Sequence, residues 1–147
     1  MLYLEKHICV CGRCKLKAND KEFVAWGKKT KFVLTNERRK MVNEYIIDDC
    51  LLRAKKNEEK CDYLFTIHED RIAYLIECKG SDILKAVDQL NSTLDILKID
   101  LLGFTLKGRI VPTRVYAPNL ATLNYKKLRE RLNGGLETKN IICTERI

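Results

Sequence analysis

Asp62, Glu77 and Lys79 are the residues whose types and spacing carry the most chemistry in this chain. They bracket the run Cys61 to Gly80, in which two apolar stretches rich in aromatic and β-branched residues flank a polar tetrad, His68 to Arg71. That pattern predicts a β-hairpin. With the turn centred on Glu69-Asp70, opposed residues have numbers that sum to 139, which sets Asp62 across from Glu77. Two carboxylates at cross-strand distance repel, and a divalent cation between them would offset the repulsion. Lys79 follows Glu77 by two residues and falls on the same face.

Alternation along the two strands supports this register. Tyr63, Phe65, Ile67, Ile72, Tyr74 and Ile76 form an unbroken apolar face. The other face carries Asp62, Leu64, Thr66, Ala73, Leu75, Glu77 and Lys79, so its charges gather at one end. Leu64 and Leu75 predict that this second face is covered too, as in strands buried on both sides. Read without that cover, the same residues describe a solvated strand end with a Glu-Lys pair.

An acid at the start of one strand followed by Glu-x-Lys on its neighbour, here Asp62 and then Glu77-Cys78-Lys79, resembles the motif of the PD-(D/E)XK nuclease superfamily, the restriction-endonuclease-like fold. The resemblance continues through Gly80-Ser81 into the next helix and covers about residues 44–95. It implies Mg²⁺, with Mn²⁺ able to substitute, held by Asp62, Glu77 and the backbone carbonyl of Cys78. It implies that the ion polarises a phosphodiester oxygen and acidifies bound water. Lys79 would orient the attacking water and stabilise charge on phosphorus. Gln89 falls where the family often places a supporting polar residue on the following helix, although a solvated helix glutamine reads the same way. Family members often add an acid from an upstream element, and Glu44, Asp48 and Asp49 are all candidates.

The remaining composition agrees with a nucleic-acid partner without requiring one. Among 147 residues, 46% are hydrophobic and 33% charged, which fits one globular domain rather than a disordered chain. The net charge of +8 suits a polyanion, through salt-dependent phosphate contacts; a merely solubilising surface would have the same charge. No apolar run approaches a bilayer span and the N-terminus lacks a secretory layout, so an intracellular, cytoplasmic protein without a membrane partner is expected. His7, Cys9, Cys11 and Cys14 form His-x-Cys-x-Cys-x-x-Cys, four soft donors suited to zinc, although Cys-x-Cys is an unusual spacing and reduced thiols without metal fit as well. The distribution does not match an iron–sulfur nuclease. Cys50, Cys61, Cys78 and Cys143 read as buried thiols, and seven cysteines argue against a disulfide framework.

Other elements are expected as follows. Lys31 to Leu34 predicts a strand, and Asn36 an N-cap for a helical turn over residues 37–42. Residues 44–52 fit a helix or a strand, with strand preferred, before a polar loop over residues 53–60. Ser81 is the expected cap, and Asp82 the acid at the positive N-terminal dipole, of a helix with the stripe Ile83, Ala86, Val87, Leu90, Leu94 and Leu97. Residues 104–106, 109–111 and 113–116 predict strands, residues 120–132 a helix ended by Gly134-Gly135, and residues 139–144 a last strand. The expected fold class is α/β, a mixed central sheet flanked by helices like the restriction-endonuclease-like core. Residues 1–35 form a basic, cysteine-containing segment and residues 36–147 the nuclease-like domain.

Three functions compete at this level. A metal-dependent deoxyribonuclease, acting alone, as a homodimer or within a larger nuclease complex, accounts for the Asp62, Glu77, Lys79 set. A non-catalytic basic module binding nucleic acid or protein, zinc-stabilised, accounts for the cysteines and charge. RNA cleavage is disfavoured, because no aromatic platform for single-stranded bases is evident.

Overall fold

A computed structural model describes residues 2–78 and 80–147. The predicted hairpin is the centre of the molecule. Strands β5 (Tyr63–Ile67) and β6 (Ile72–Glu77) pair antiparallel with Tyr63 opposite Ile76 and Ile67 opposite Ile72, the expected register. The turn closes with the Arg71 N–H donating to the His68 carbonyl.

On one side of the hairpin, β4 (Val42–Ile46) pairs antiparallel with β5, and β1 (Lys15–Ala18) with β4. On the other side, β7 (Thr105–Ile110) runs parallel to β6, reached through helix α1 (Ile83–Ile96). Strand β8 (Leu136–Thr138) then extends the sheet parallel to β7, after α2 (Ala117–Leu120) and α3 (Leu123–Arg131). The six-stranded order is β1-β4-β5-β6-β7-β8.

A second sheet joins β2 (Glu22–Trp26), β3 (Lys31–Thr35) and β9 (Ile142–Arg146), with β2 antiparallel and β9 parallel to β3. The molecule is therefore a mixed α/β fold with two sheets and a few helices. Residues 15–35 are built into both sheets.

Each face of the hairpin has its own core. Leu64, Ala73 and Leu75 pack with Ile83, Ala86, Val87, Leu90 and Leu94 of α1 and with Leu128 of α3. Phe65, Ile67, Tyr74 and Ile76 pack against Phe23, Ala25, Phe32, Leu34 and Cys143 of the second sheet. Burial of each large side chain contributes roughly 1.5–3 kcal/mol. The expected flanking by helices thus holds for one face only. Alternating apolar residues in β2 and β3 make a sheet, rather than a helix, the cover for the aromatic face.

Local departures from the sequence reading have identifiable causes. Asn36 does not cap a helix. It is buried, donates its side-chain amide to the Asp20 and Lys40 carbonyls and accepts the Lys40 N–H, so its side chain organises a loop. Residues 44–52 contain both alternatives in succession: β4 ends at Ile46 and one π-helical turn, Ile47–Leu51, follows. Asp82, not Ser81, caps α1, accepting the Lys85 N–H at 3.0 Å. The two strands expected over residues 104–106 and 109–111 are one, Thr105–Ile110, because Lys107-Gly108 stays extended beside β6. Residues 113–116 form no strand, and the helix expected over residues 120–132 is split at Thr122, which caps α3. The strand expected over residues 139–144 is displaced to β9, and β1, β2 and β8 were not foreseen.

Glu44 on β4 lies on the aromatic face, opposite Lys15 of β1, and is 5% exposed. Its Oε1 has no hydrogen-bond partner among the described residues. Burial, opposed by the Lys15 charge and reinforced by Asp20, raises its pKa from 4.5 to about 7. A carboxyl raised on folding contributes stability below its unfolded pKa, and this stability is lost as pH rises through the folded value. Stability should therefore fall between pH 4.5 and about 7. Glu44→Gln should flatten that dependence and gain on the order of 1–3 kcal/mol over the wild type at pH 8, read by urea denaturation across this pH range. An unchanged slope in the variant would assign the effect elsewhere.

Candidate functional site

The two predicted acids are brought together where β5 begins and β6 ends. Continuing the β5–β6 register by one residue sets Asp62 across from Glu77, and the Asp62 N–H donates to the Ile76 carbonyl at 3.1 Å. Asp62 Oδ2 accepts the Cys78 N–H at 3.1 Å, so the carboxylate folds over the end of β6. Glu77 has no exposed surface and shares its face with Leu75 and Ala73. Both carboxylates act on the flanking thiols. Burial first, then the charges of Asp62 and Glu77, pushes Cys78 up to about 12; burial and the same two charges also raise Cys61. A negative field concentrates at this strand end. Lys79, the third member of the predicted set, lies outside the described residues.

Several elements hold this end in place. The Cys61 N–H, just before Asp62, donates to Thr93 Oγ1 of α1 at 2.9 Å, and Thr93 in turn donates to the Gln89 carbonyl. The Glu77 carbonyl accepts the Val111 N–H and the Gly80 carbonyl accepts the Thr113 N–H, carrying the parallel pairing past the strand ends. Gln89 is 8% exposed, so the solvated reading does not hold; its helix packs on the sheet face that carries Glu77.

A cavity of about 680 Å³ opens over the strand end. Asp62, Tyr63, Cys78 and Gly80 form its base, and Ile46, Asp48 and Asp49 one wall. The β2–β3 turn, Trp26 to Thr30, forms the facing wall, with Arg13 and Thr113 at the margin. Acidic groups from two elements thus share one concavity with Arg13, Lys28 and Lys29. Asp48 and Asp49 line this cavity, whereas Glu44 does not. The π-helical turn that carries both is a geometry often found at functional sites. Lys60, with its side chain buried, pairs with Asp48 at 2.9 Å and donates to the Leu52 and Lys55 carbonyls.

The cysteine cluster differs from the sequence reading in its membership. His7, Cys9, Cys14 and Cys50 place their donor atoms within 4.8 Å of one another and can hold a metal ion such as zinc. Cys50, expected to be an isolated buried thiol, comes from the π-helical turn. Cys11 borders the group, 3.7 Å from Cys9 and 3.9 Å from Cys14. Burial and the nearby Arg53 charge hold His7 below its ordinary pKa. A backbone hydrogen bond from Cys14 leads the forces that draw Cys9 down to about 6, while burial raises Cys14.

Sequence reasoning missed Gly27, Arg13, Thr93 and Cys50 as site-forming residues. Their roles are set by partners distant in the chain, and only the Cys11-to-Cys14 spacing beside Arg13 offered a local signal. Compared with protein-family models, curated proteins and solved structures, the chain has no match.

Gly27 is required where the β2–β3 turn meets the site. A Cβ there would stand 2.2 Å from the Cys78 carbonyl oxygen. Gly27→Ala should therefore displace the turn and destabilise the fold by about 1–3 kcal/mol, read by equilibrium denaturation. A variant as stable as the wild type would show that this close approach is dispensable.

Proposed function

We propose that the chain is a metal-dependent nuclease that hydrolyses phosphodiester bonds, in DNA by preference, at the cavity over Asp62, with Glu77 across the hairpin from it. The observation that carries this reading is the hairpin register, which sets Glu77 across from Asp62, together with the place of Asp62 at the base of a cavity that Arg13, Lys28 and Lys29 also line. The strand order also supports it. An antiparallel β4-β5-β6 meander, followed by α1 and a parallel β7, is the arrangement expected of a restriction-endonuclease-like core.

The donor set suits Mg²⁺, which prefers carboxylate and carbonyl oxygens, and Mn²⁺ accepts the same ligands. Asp62 and Glu77 would hold the ion, with the Cys78 carbonyl as a further ligand and Asp48 or Asp49 as the upstream acid. When bound, the cation would polarise the scissile phosphate and lower the pKa of a bound water. Asp62, fixed by the Cys78 N–H, needs little reorganisation to act as a ligand. Arg13, Lys28 and Lys29 would neutralise the phosphates on either side of the scissile bond. Lys79 keeps the role that the resemblance implies, positioning the attacking water, and Gln89 the supporting role.

Asp62→Asn and Glu77→Gln should each reduce Mg²⁺-dependent cleavage of linear, circular, single-stranded or branched DNA by more than about 100-fold, as loss of transition-state stabilisation at a catalytic centre does. Circular dichroism should show both variants folded. Cleavage lost in EDTA should return with Mg²⁺ or Mn²⁺ alone. Wild-type rates in either folded variant would refute the assigned roles. Faster cleavage of RNA than of DNA would refute the substrate class.

A second reading, a metal-stabilised module that grips nucleic acid without cutting it, draws on the His7, Cys9, Cys14, Cys50 group. Both readings expect Lys28→Ala with Lys29→Ala to weaken DNA binding and to flatten its salt dependence by about 0.9 in logarithmic slope for each phosphate no longer neutralised. An unchanged slope would place the DNA on another surface. Only the nuclease reading expects Mg²⁺-dependent product.

A further inference from the structure

We propose that His7, Cys9, Cys14 and Cys50 bind a single zinc ion as a structural site, and that this ion staples the N-terminal segment to the π-helical turn that carries Asp48 and Asp49. The inference stands on donor geometry alone and does not depend on the nuclease reading.

A tetrahedral ion with metal–sulfur bonds of about 2.3 Å separates its sulfurs by about 3.8 Å and sets a ligating nitrogen slightly closer. The Sγ atoms of Cys14 and Cys50 are 3.7 Å apart, and those of Cys50 and Cys9 3.8 Å. His7 Nε2 lies 3.8 Å from Cys14 Sγ and 3.7 Å from Cys50 Sγ. These four separations match edges of a tetrahedron around one ion, the other two lie within 4.8 Å, and such spacing leaves too little room for a multi-iron cluster among the sulfurs. They also exceed the S–S bond length of about 2.05 Å, and all of these thiols are reduced.

The surroundings are those of a metal shell rather than of packed thiols. The Ile46 N–H donates to Cys14 Sγ at 3.3 Å, a bond that favours thiolate. The His7 ring packs edge-on against Tyr45, with centroids 5.6 Å apart, which fixes its orientation. Three thiolates and a neutral imidazole fill all four positions, leaving none for water, as in structural rather than catalytic zinc sites. On binding, the three thiols release their protons to solvent.

The site's position gives it a mechanical role. Cys14 immediately precedes β1 and Cys50 lies inside the π-helical turn. Arg13, one residue before a ligand, reaches Asp49 at 3.4 Å, one residue before another. The zinc would thus fix the acidic wall of the cavity from behind.

Metal analysis of the purified full chain should find about one zinc per molecule, and Co²⁺ added to metal-stripped protein should give the intense visible absorption of a tetrahedral thiolate site. Cys50→Ser should abolish that absorption, and His7→Ala should weaken Co²⁺ binding more than about tenfold. Cys11→Ser and Cys143→Ser should leave it unchanged. A zinc chelator should lower the melting temperature of the wild type. Wild-type protein that takes up neither zinc nor Co²⁺ would overturn the proposal, as would Cys50→Ser retaining a full equivalent. Loss of metal from Cys11→Ser but not from His7→Ala would overturn the ligand set. Zinc without any cleavage would support this site while refuting the nuclease reading; cleavage without zinc would do the reverse.

Discussion

The rest of the structure depends on holding the Glu77 carboxylate, with Asp62 across from it, at the end of a hairpin covered on both faces. Burying a carboxylate costs several kcal/mol unless it is paired or hydrogen-bonded, so the backbone around it must be held firmly. Three elements hold it. Helix α1 seals one face through Ile83, Val87 and Leu90, the second sheet seals the other through Phe23 and Phe32, and Thr93 fixes the backbone before Asp62. The cavity is what remains where these covers stop short of the strand ends.

Two device-like features converge on that opening from outside the hairpin. Gly27 lets the β2–β3 turn approach the Cys78 carbonyl, and the turn brings Lys28 and Lys29 with it. The π-helical turn brings Asp48 and Asp49, braced by Lys60 from one side and Arg13 from the other. Carboxylates and cations that line one cavity are suited to a cation and a polyanion together. The proposed hydrolysis requires both, whereas a simple binding surface requires only the basic residues.

How much of this was legible in the sequence follows the range of the interactions. The hairpin register, its two-sided burial and the α1 stripe were readable because alternation and helical periodicity are local signals. Asn36 was misread because its preference for caps and for loops has one physical origin, a side chain that bonds to nearby backbone. The second sheet escaped because β3 joins β9 across more than a hundred residues, as in the pairing of Lys31 with Ile142. Cys50 was set apart from Cys14 for the same reason: their elements meet through tertiary contacts, the β1–β4 pairing among them. At the site, Asp62 and Glu77 were legible from register, while the choice among Glu44, Asp48 and Asp49 needed the turn that redirects the chain after Ile46.

The parallel pairing of β3 with β9 also imposes an order of events during synthesis. Residues 22–35 emerge from the ribosome early, yet their sheet lacks its third strand until residues 142–146 follow. Such distant pairings close late, because the loop must be ordered before the contacts reward it. Helix α1 can settle on the hairpin well before then, since it follows β6 within a few residues. A nascent chain would therefore hold Asp62 and Glu77 beneath a roof of β2 and β3 that still lacks its third strand.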